Sequence, residues 1–182
     1  MEQIIITVNS NIQLKSWSTE NAPELFALSD KNRDYLSPWL PWAPMVKIVA
    51  DSEKFISTSL TEMEEKKGLE LGIWYQNKLV GCIGLHTFSS SNRRASIGYW
   101  LDADFQGKGI MTQSVKALVN YCFTELDLNR LAIEAATENQ SSYSIAERLG
   151  FTKEGVARQF EFINNRFLDY KLYSILKSEW KP

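Results

Sequence analysis

Between residues 70 and 126 the hydrophobic pattern changes period, from about two to about 3.6. Glu70 to Tyr75, Lys78 to His86 and Arg94 to Asp102 read as three strands, separated by Gln76-Asn77 and by Ser89-Ser90-Ser91-Asn92. Gly109 to Leu126 then carries Val115, Leu118, Val119, Cys122 and Leu126 at offsets 0, 3, 4, 7 and 11, which is one face of a helix. An antiparallel meander followed by a helix with one apolar face places that helix across the sheet. The fold class expected is therefore α+β, with helices and strands mixed around a mostly antiparallel central sheet.

The flanking segments extend this plan. Ile4 to Val8 and Ile12 to Lys15 read as a hairpin around Asn9-Ser10-Asn11. Ser18 or Thr19 is expected to cap a helix with Ala22, Leu25, Phe26 and Leu28, and Asp51 to cap another with Phe55, Ile56, Leu60 and Met63. Pro38, Pro41 and Pro44 turn the segment from Tyr35 to Trp42 into an aromatic loop. Asn129 to Ala136 reads as a strand, and Ser141 to Leu149 as a short helix closed by Gly150. Val156 to Ile163 and Phe167 to Leu176 read as a hairpin around Asn164-Asn165. No repeat or linker divides the chain, so residues 1–182 are expected to form a single domain.

Composition excludes several functions. Twenty Lys plus Arg against 22 Asp plus Glu leaves a formal charge of −2, which provides no field for collecting nucleic acid or anionic lipid. Glu2 stands where a secretory leader needs a basic flank, and no run approaches the ~18 apolar residues of a membrane span. A cytoplasmic protein is expected. Cys82 and Cys122 sit among apolar neighbours and read as buried free thiols, while His86, the one histidine, cannot form a two-histidine metal motif. No metal is expected.

The segment from Ser96 to Thr112 runs from a strand through a turn with Gly107 and Gly109 into the long helix. Glycine lets the backbone approach another group closely, and a helix start offers unpaired N–H donors and the positive end of its dipole. Such a turn can hold a phosphate, or it can be a plain strand-to-helix turn. A Walker loop would need Gly at Asp102 and Ser or Thr at Gly109; a dinucleotide fingerprint would need Gly at Thr112. Neither class fits.

Gln106-Gly107-Lys108-Gly109-Ile110-Met111 resembles the acetyl-coenzyme A (acetyl-CoA) pyrophosphate loop of the GNAT N-acetyltransferases. That pattern is Gln or Arg, two free positions, Gly, one free position, then Gly or Ala. Met111 departs from the last position, as is common in the RimJ/RimL-like branch, which acetylates N-termini of ribosomal proteins. Ile97 to Leu101, Trp39-Leu40-Pro41-Trp42, Asn139-Gln140-Ser141-Ser142 and Ala146 to Phe151 resemble that branch in order and spacing. The resemblance spans roughly residues 4 to 175.

The resemblance implies a GNAT-like sheet splayed at a coenzyme A (CoA) cleft, with acetyl-CoA as cosubstrate and a protein N-terminus or a small amine as acceptor. Trp100 and Leu101 would pair with the pantetheine arm, the N–H groups from Gln106 to Thr112 (Gln106, Gly107, Lys108, Gly109, Ile110, Met111, Thr112) would take the pyrophosphate, and Asn139 would bond the arm near the thioester. Ser142 or Tyr143 would protonate the thiolate, the N–H near Leu101 would receive the oxyanion, and Glu161 would be the base. Trp39 and Trp42 would wall a peptide site. Each has a plainer competitor: Glu161 as a solvated residue or partner of Arg158 or Arg166, Ser142 as a helix cap, Asn139 as a loop bond, the tryptophans as core. A CoA-binding sensor without catalysis stays open, and so does a homo-oligomer, since related folds often pair sheets or strands between subunits.

Overall fold

The computed structural model describes residues 3–181, so Met1, with the Glu2 used in the leader argument, lies outside the described residues. In chain order the elements are β1 (Ile5–Thr7), β2 (Ile12–Ser16), α1 (Ala22–Lys31), α2 (Arg33–Leu36), α3 (Val49–Glu64), β3 (Leu69–Tyr75), β4 (Lys78–Ser89), β5 (Arg94–Leu101), α4 (Ile110–Thr124), β6 (Arg130–Ala136), α5 (Gln140–Arg148), β7 (Thr152–Ile163) and β8 (Arg166–Leu176). The strands form one sheet in the order β1-β2-β3-β4-β5-β6-β8-β7. Every neighbouring pair is antiparallel except β5 and β6, which run parallel and are joined through α4, the crossover that parallel strands require. This is the expected GNAT-like architecture.

Strand alternation sorts side chains to two faces. On one face Leu69, Leu71 and Ile73 of β3, Ile97 of β5 and Ile133 of β6 pack with Val115, Leu118, Val119 and Cys122 of α4 and Ile145 of α5. Burial of each large aliphatic side chain there contributes about 1.5–3 kcal/mol. On the other face Trp17, Leu25, Leu28 and Ile56 from the α1 and α3 side meet Leu79 and Cys82. A third cluster joins Ala136, Ile163, Leu168 and Tyr170 to Trp39. Cys82 and Cys122 are free and buried.

Local chemistry shifts some element starts. Asp51 is the third residue of its helix, and its carboxylate accepts the N–H groups of Lys47 and Ile48 at 2.8 and 3.1 Å, reaching back over the helix start. Ser18 caps a single 3-10 turn that leads into α1, where Pro23 sits in the first turn. Tyr35 and Leu36 belong to α2, because Leu36 is buried and donates its N–H to Asn32 O at 2.9 Å; irregular turns follow from Ser37. β7 starts at Thr152, four residues earlier than its alternation indicates, because irregularities near Gly155 and between Ala157 and Glu161 break the period. Among the described residues no helix is long and apolar enough to cross a membrane, and no group of three or more His, Cys, Asp or Glu could hold a metal ion.

Candidate active site

β5 and β6 pair only from Arg94 to Ser96 against Arg130 to Ala132. Beyond that, β5 stays paired with β4 as far as Leu101 and β6 with β8 as far as Ala136, so the two strands diverge. A cavity of about 610 Å³ fills the wedge, lined by Ile97 to Leu101 on one side and Ile133 to Ala136 on the other. Asp102 donates its N–H to Val80 O at 2.8 Å, and the antiparallel alternation therefore turns the N–H groups of Leu101 and Tyr99 away from β4, towards the cleft.

The turn after β5 is anchored from α1. Asp102, fully buried, accepts Lys31 Nζ at 2.8 and 3.0 Å and the Asp104 N–H at 3.2 Å, while Asn32 Oδ1 accepts the Ala103 N–H at 3.0 Å. Gly107 and Gly109 then take φ of 72° and 73°, the left-handed region that glycine enters without strain. Gly109 caps α4 with no side chain, and the first helix turn holds no acid. Among the described residues the N–H groups from Gly107 to Thr112 have no hydrogen-bond partner; the first backward bond is Gln113 N–H to Gly109 O at 3.1 Å. Unpaired amides at a helix start form an anion site, and a diphosphate suits it. The donor set therefore fits the pyrophosphate of CoA.

Of the sequence-derived candidates, Trp39, Trp100, Leu101, Gln106, Gly107, Gly109, Ile110, Met111, Thr112, Asn139 and Ser142 line this cavity together. Four do not line it. The Lys108 ammonium turns back to Asp104 O at 3.1 Å and lies 4.6 Å from the Phe105 ring centroid. Trp42 packs behind the wall against Trp100, with ring centroids 5.9 Å apart. Tyr143 stacks on Tyr173, with Lys171 Nζ 3.3 Å from its ring centroid, so its ring is engaged away from the cleft. Glu161 stands one residue behind the wall and accepts a hydrogen bond from the hydroxyl of Tyr170, which does line it.

Arg166 pairs with Glu138 at 3.1 Å, and among the described residues neither it nor Arg158 pairs with Glu161. The cap of α5 is Asn139, not Ser142: Asn139 Oδ1 accepts the Ser142 N–H at 3.2 Å and the Ser141 hydroxyl at 2.8 Å. The Ser142 carbonyl accepts the hydroxyl of Tyr99 at 3.0 Å, and burial pushes that phenol's pKa up to about 12. Tyr99, Glu134, Arg148 and Tyr170 line the cavity without having been singled out from the sequence. Partial burial, opposed by Arg130 and reinforced by Glu161, raises the Glu134 carboxyl above its ordinary value. Alternation along β5, β6 and β8 is what the sequence offers for Tyr99, Glu134 and Tyr170, and Arg148 stands at the end of α5 within the run from Ala146 to Phe151; neither signal says where the sheet opens.

The acetyltransferase (GNAT) domain family matches residues 11–152. The chain is 38% identical over 176 residues to the putative ribosomal N-acetyltransferase YdaF of Bacillus subtilis, covering 96% of each. It superposes with a TM-score of 0.93 and 31% identity on RimL, a ribosomal L7/L12 alpha-N-protein acetyltransferase solved with CoA, covering 95% of this chain and 98% of that one. It also superposes with a TM-score of 0.89 and 33% identity on the microcin C7 self immunity acetyltransferase MccE, solved with acetyl-CoA and AMP, covering 93% and 94%. A splayed sheet, an amide-lined turn and these similarities lead to one conclusion: the chain belongs to the GNAT acetyltransferase family, in its RimJ/RimL-like branch.

Proposed function

We propose that the protein transfers the acetyl group of acetyl-CoA to the α-amino group at the N-terminus of another protein, a ribosomal protein by similarity to YdaF and RimL. The observation that carries this is the single cavity that contains both the unpaired amides of Gly107 to Thr112 and the Tyr170 hydroxyl bonded to Glu161. Acetyl-CoA supplies an activated acetyl group as a thioester. The amides from Gly107 to Thr112 hold its diphosphate, and the N–H of Leu101, turned to the cleft, donates to the carbonyl oxygen where negative charge develops. Glu161, which stands behind the wall, takes the proton of the incoming amine through water as the C–N bond forms, and as the C–S bond breaks the Ser142 hydroxyl passes a proton to the departing sulfur and regains one from solvent. An α-amine is roughly a tenth neutral at pH 7 and a lysine about 0.04%, so an N-terminal acceptor demands little of the base. Trp39, which lines the cavity and packs on the cluster containing Tyr170, would wall the peptide. This reading places the protein in the cytoplasm, where ribosomal proteins are made.

Extract proteins incubated with the enzyme and labelled acetyl-CoA, then analysed by mass spectrometry, are expected to carry label on N-terminal residues, ribosomal proteins included. Label confined to lysines would contradict the reading. Similarity to the spermidine N(1)-acetyltransferase of Vibrio cholerae, 30% identical over 105 residues and covering 58% of this chain, favours a second reading, a small amine as acceptor. Turnover on a panel of small amines with none on peptides would establish it, and CoA binding without turnover on any amine would establish a sensor.

A further inference from the structure

Two charged side chains line the cavity among the described residues, Glu134 and Arg148. Among the described residues Arg148 is therefore the one cation on a wall expected to hold a polyanion, because the ammonium of Lys108 is turned away. It closes α5, and its Nη1 donates to Ser144 Oγ one turn earlier, at 3.1 Å. Its Nη2 donates at 3.2 Å to Thr112 Oγ1, in the first turn of α4, beside the unpaired amides. Both partners are neutral hydroxyls. Arg33, Arg93, Arg130 and Arg166 each pair with a carboxylate, and Arg148 has none among the described residues. A guanidinium has five N–H donors in a planar fork suited to phosphate, and these two tethers leave the others free.

We propose that Arg148 is a phosphate ligand for the cofactor: Ser144 and Thr112 hold its guanidinium against the start of α4, where its remaining N–H groups meet a phosphate of CoA. CoA offers a diphosphate and a ribose 3′-phosphate, and both are chemically suited. The proposal rests on the reading of the cavity as the acetyl-CoA site. An exposed arginine bonded only to hydroxyls contributes little to folding, so its replacement acts on ligand affinity.

Titration calorimetry with CoA and with 3′-dephospho-CoA, on the unmodified protein and on Arg148→Ala, Arg148→Gln and Arg148→Lys, tests it. Arg148→Ala and Arg148→Gln are expected to weaken CoA binding about tenfold or more, Arg148→Lys less, with the differences shrinking as salt rises. If 3′-dephospho-CoA suffers the same loss, the diphosphate is the partner; if its affinity is insensitive to position 148, the 3′-phosphate is. Equal CoA affinity in the unmodified protein and in Arg148→Gln, which keeps hydrogen-bonding capacity without charge, overturns the proposal. Absence of CoA binding to the unmodified protein would instead overturn the acetyl-CoA reading itself.

Discussion

Glu161 reaches the cavity through a neighbour, because Tyr170 lines the wall and its hydroxyl holds the carboxylate. Glu161→Gln is expected to lower kcat by about 10²-fold, the low end for general base catalysis, since an N-terminal amine is already partly neutral. CoA affinity should change less than about twofold; a large loss of affinity would mark Glu161 as structural. At the turn, Gly109→Trp places a side chain at φ 73°, costing about 1–2 kcal/mol in backbone strain and blocking the approach to the amides. Its dissociation constant for CoA should rise at least about tenfold, and unchanged affinity in calorimetry would remove the loop from the site. Gly107 and Gly109 were legible because the run from Gln106 to Met111 resembles the pyrophosphate loop of the family; the glycine pair alone fits a plain strand-to-helix turn as well. Glu134 and Tyr170 were not legible: they meet only because Ala136 pairs with Tyr170 across β6 and β8, a register that no local pattern encodes.

At the scale of elements, α1 sets the cofactor turn through Lys31 and Asn32, which hold Asp102 and Ala103. Asp102→Ala removes the buried acceptor and should weaken CoA binding several-fold while lowering stability by about 1–3 kcal/mol, measured by calorimetry and denaturant unfolding. Unaltered CoA affinity would show that the anchor does not shape the turn. Between β3 and β4, outside the cavity, the buried Cys82 thiol donates to Glu70 Oε2 at 3.5 Å, and Nδ1 of the exposed His86 lies 3.4 Å from Glu70 Oε1. Burial, opposed by the Cys82 hydrogen bond, pushes the Glu70 pKa up to about 8. The folded state then holds this proton more tightly than the unfolded chain, whose glutamate titrates near about 4.3. Its contribution to stability is fully present below that value and is lost as pH rises through about 8. Relative to Glu70→Gln, the unmodified protein should therefore lose thermal stability between about pH 4.5 and 8; parallel melting curves across that window would contradict this. The four longer helices and the meander were legible from period and capping, whereas the four-residue α2 and the start of β7 were not: α2 is too short to show a period, and irregularities at Gly155 and before Glu161 interrupt the alternation of β7.

For the whole molecule, a net charge of −2 decides little, and the local distribution decides more. Arg148 stands beside unpaired amides where phosphate is expected, and Glu134 and Glu161 stand where a cationic amine is expected. The sequence supported an α+β sheet, yet the strand order that sets β8 between β6 and β7, and the divergence that opens the cleft, arise from pairings between distant segments. Steady-state release of CoA thiol should be measured on two peptides of one sequence, each with an internal lysine, one with a free α-amine and one with that amine blocked. Turnover on the free peptide with little on the blocked one is expected. Equal turnover on both, or none on either, would contradict delivery of the acetyl group to a protein N-terminus.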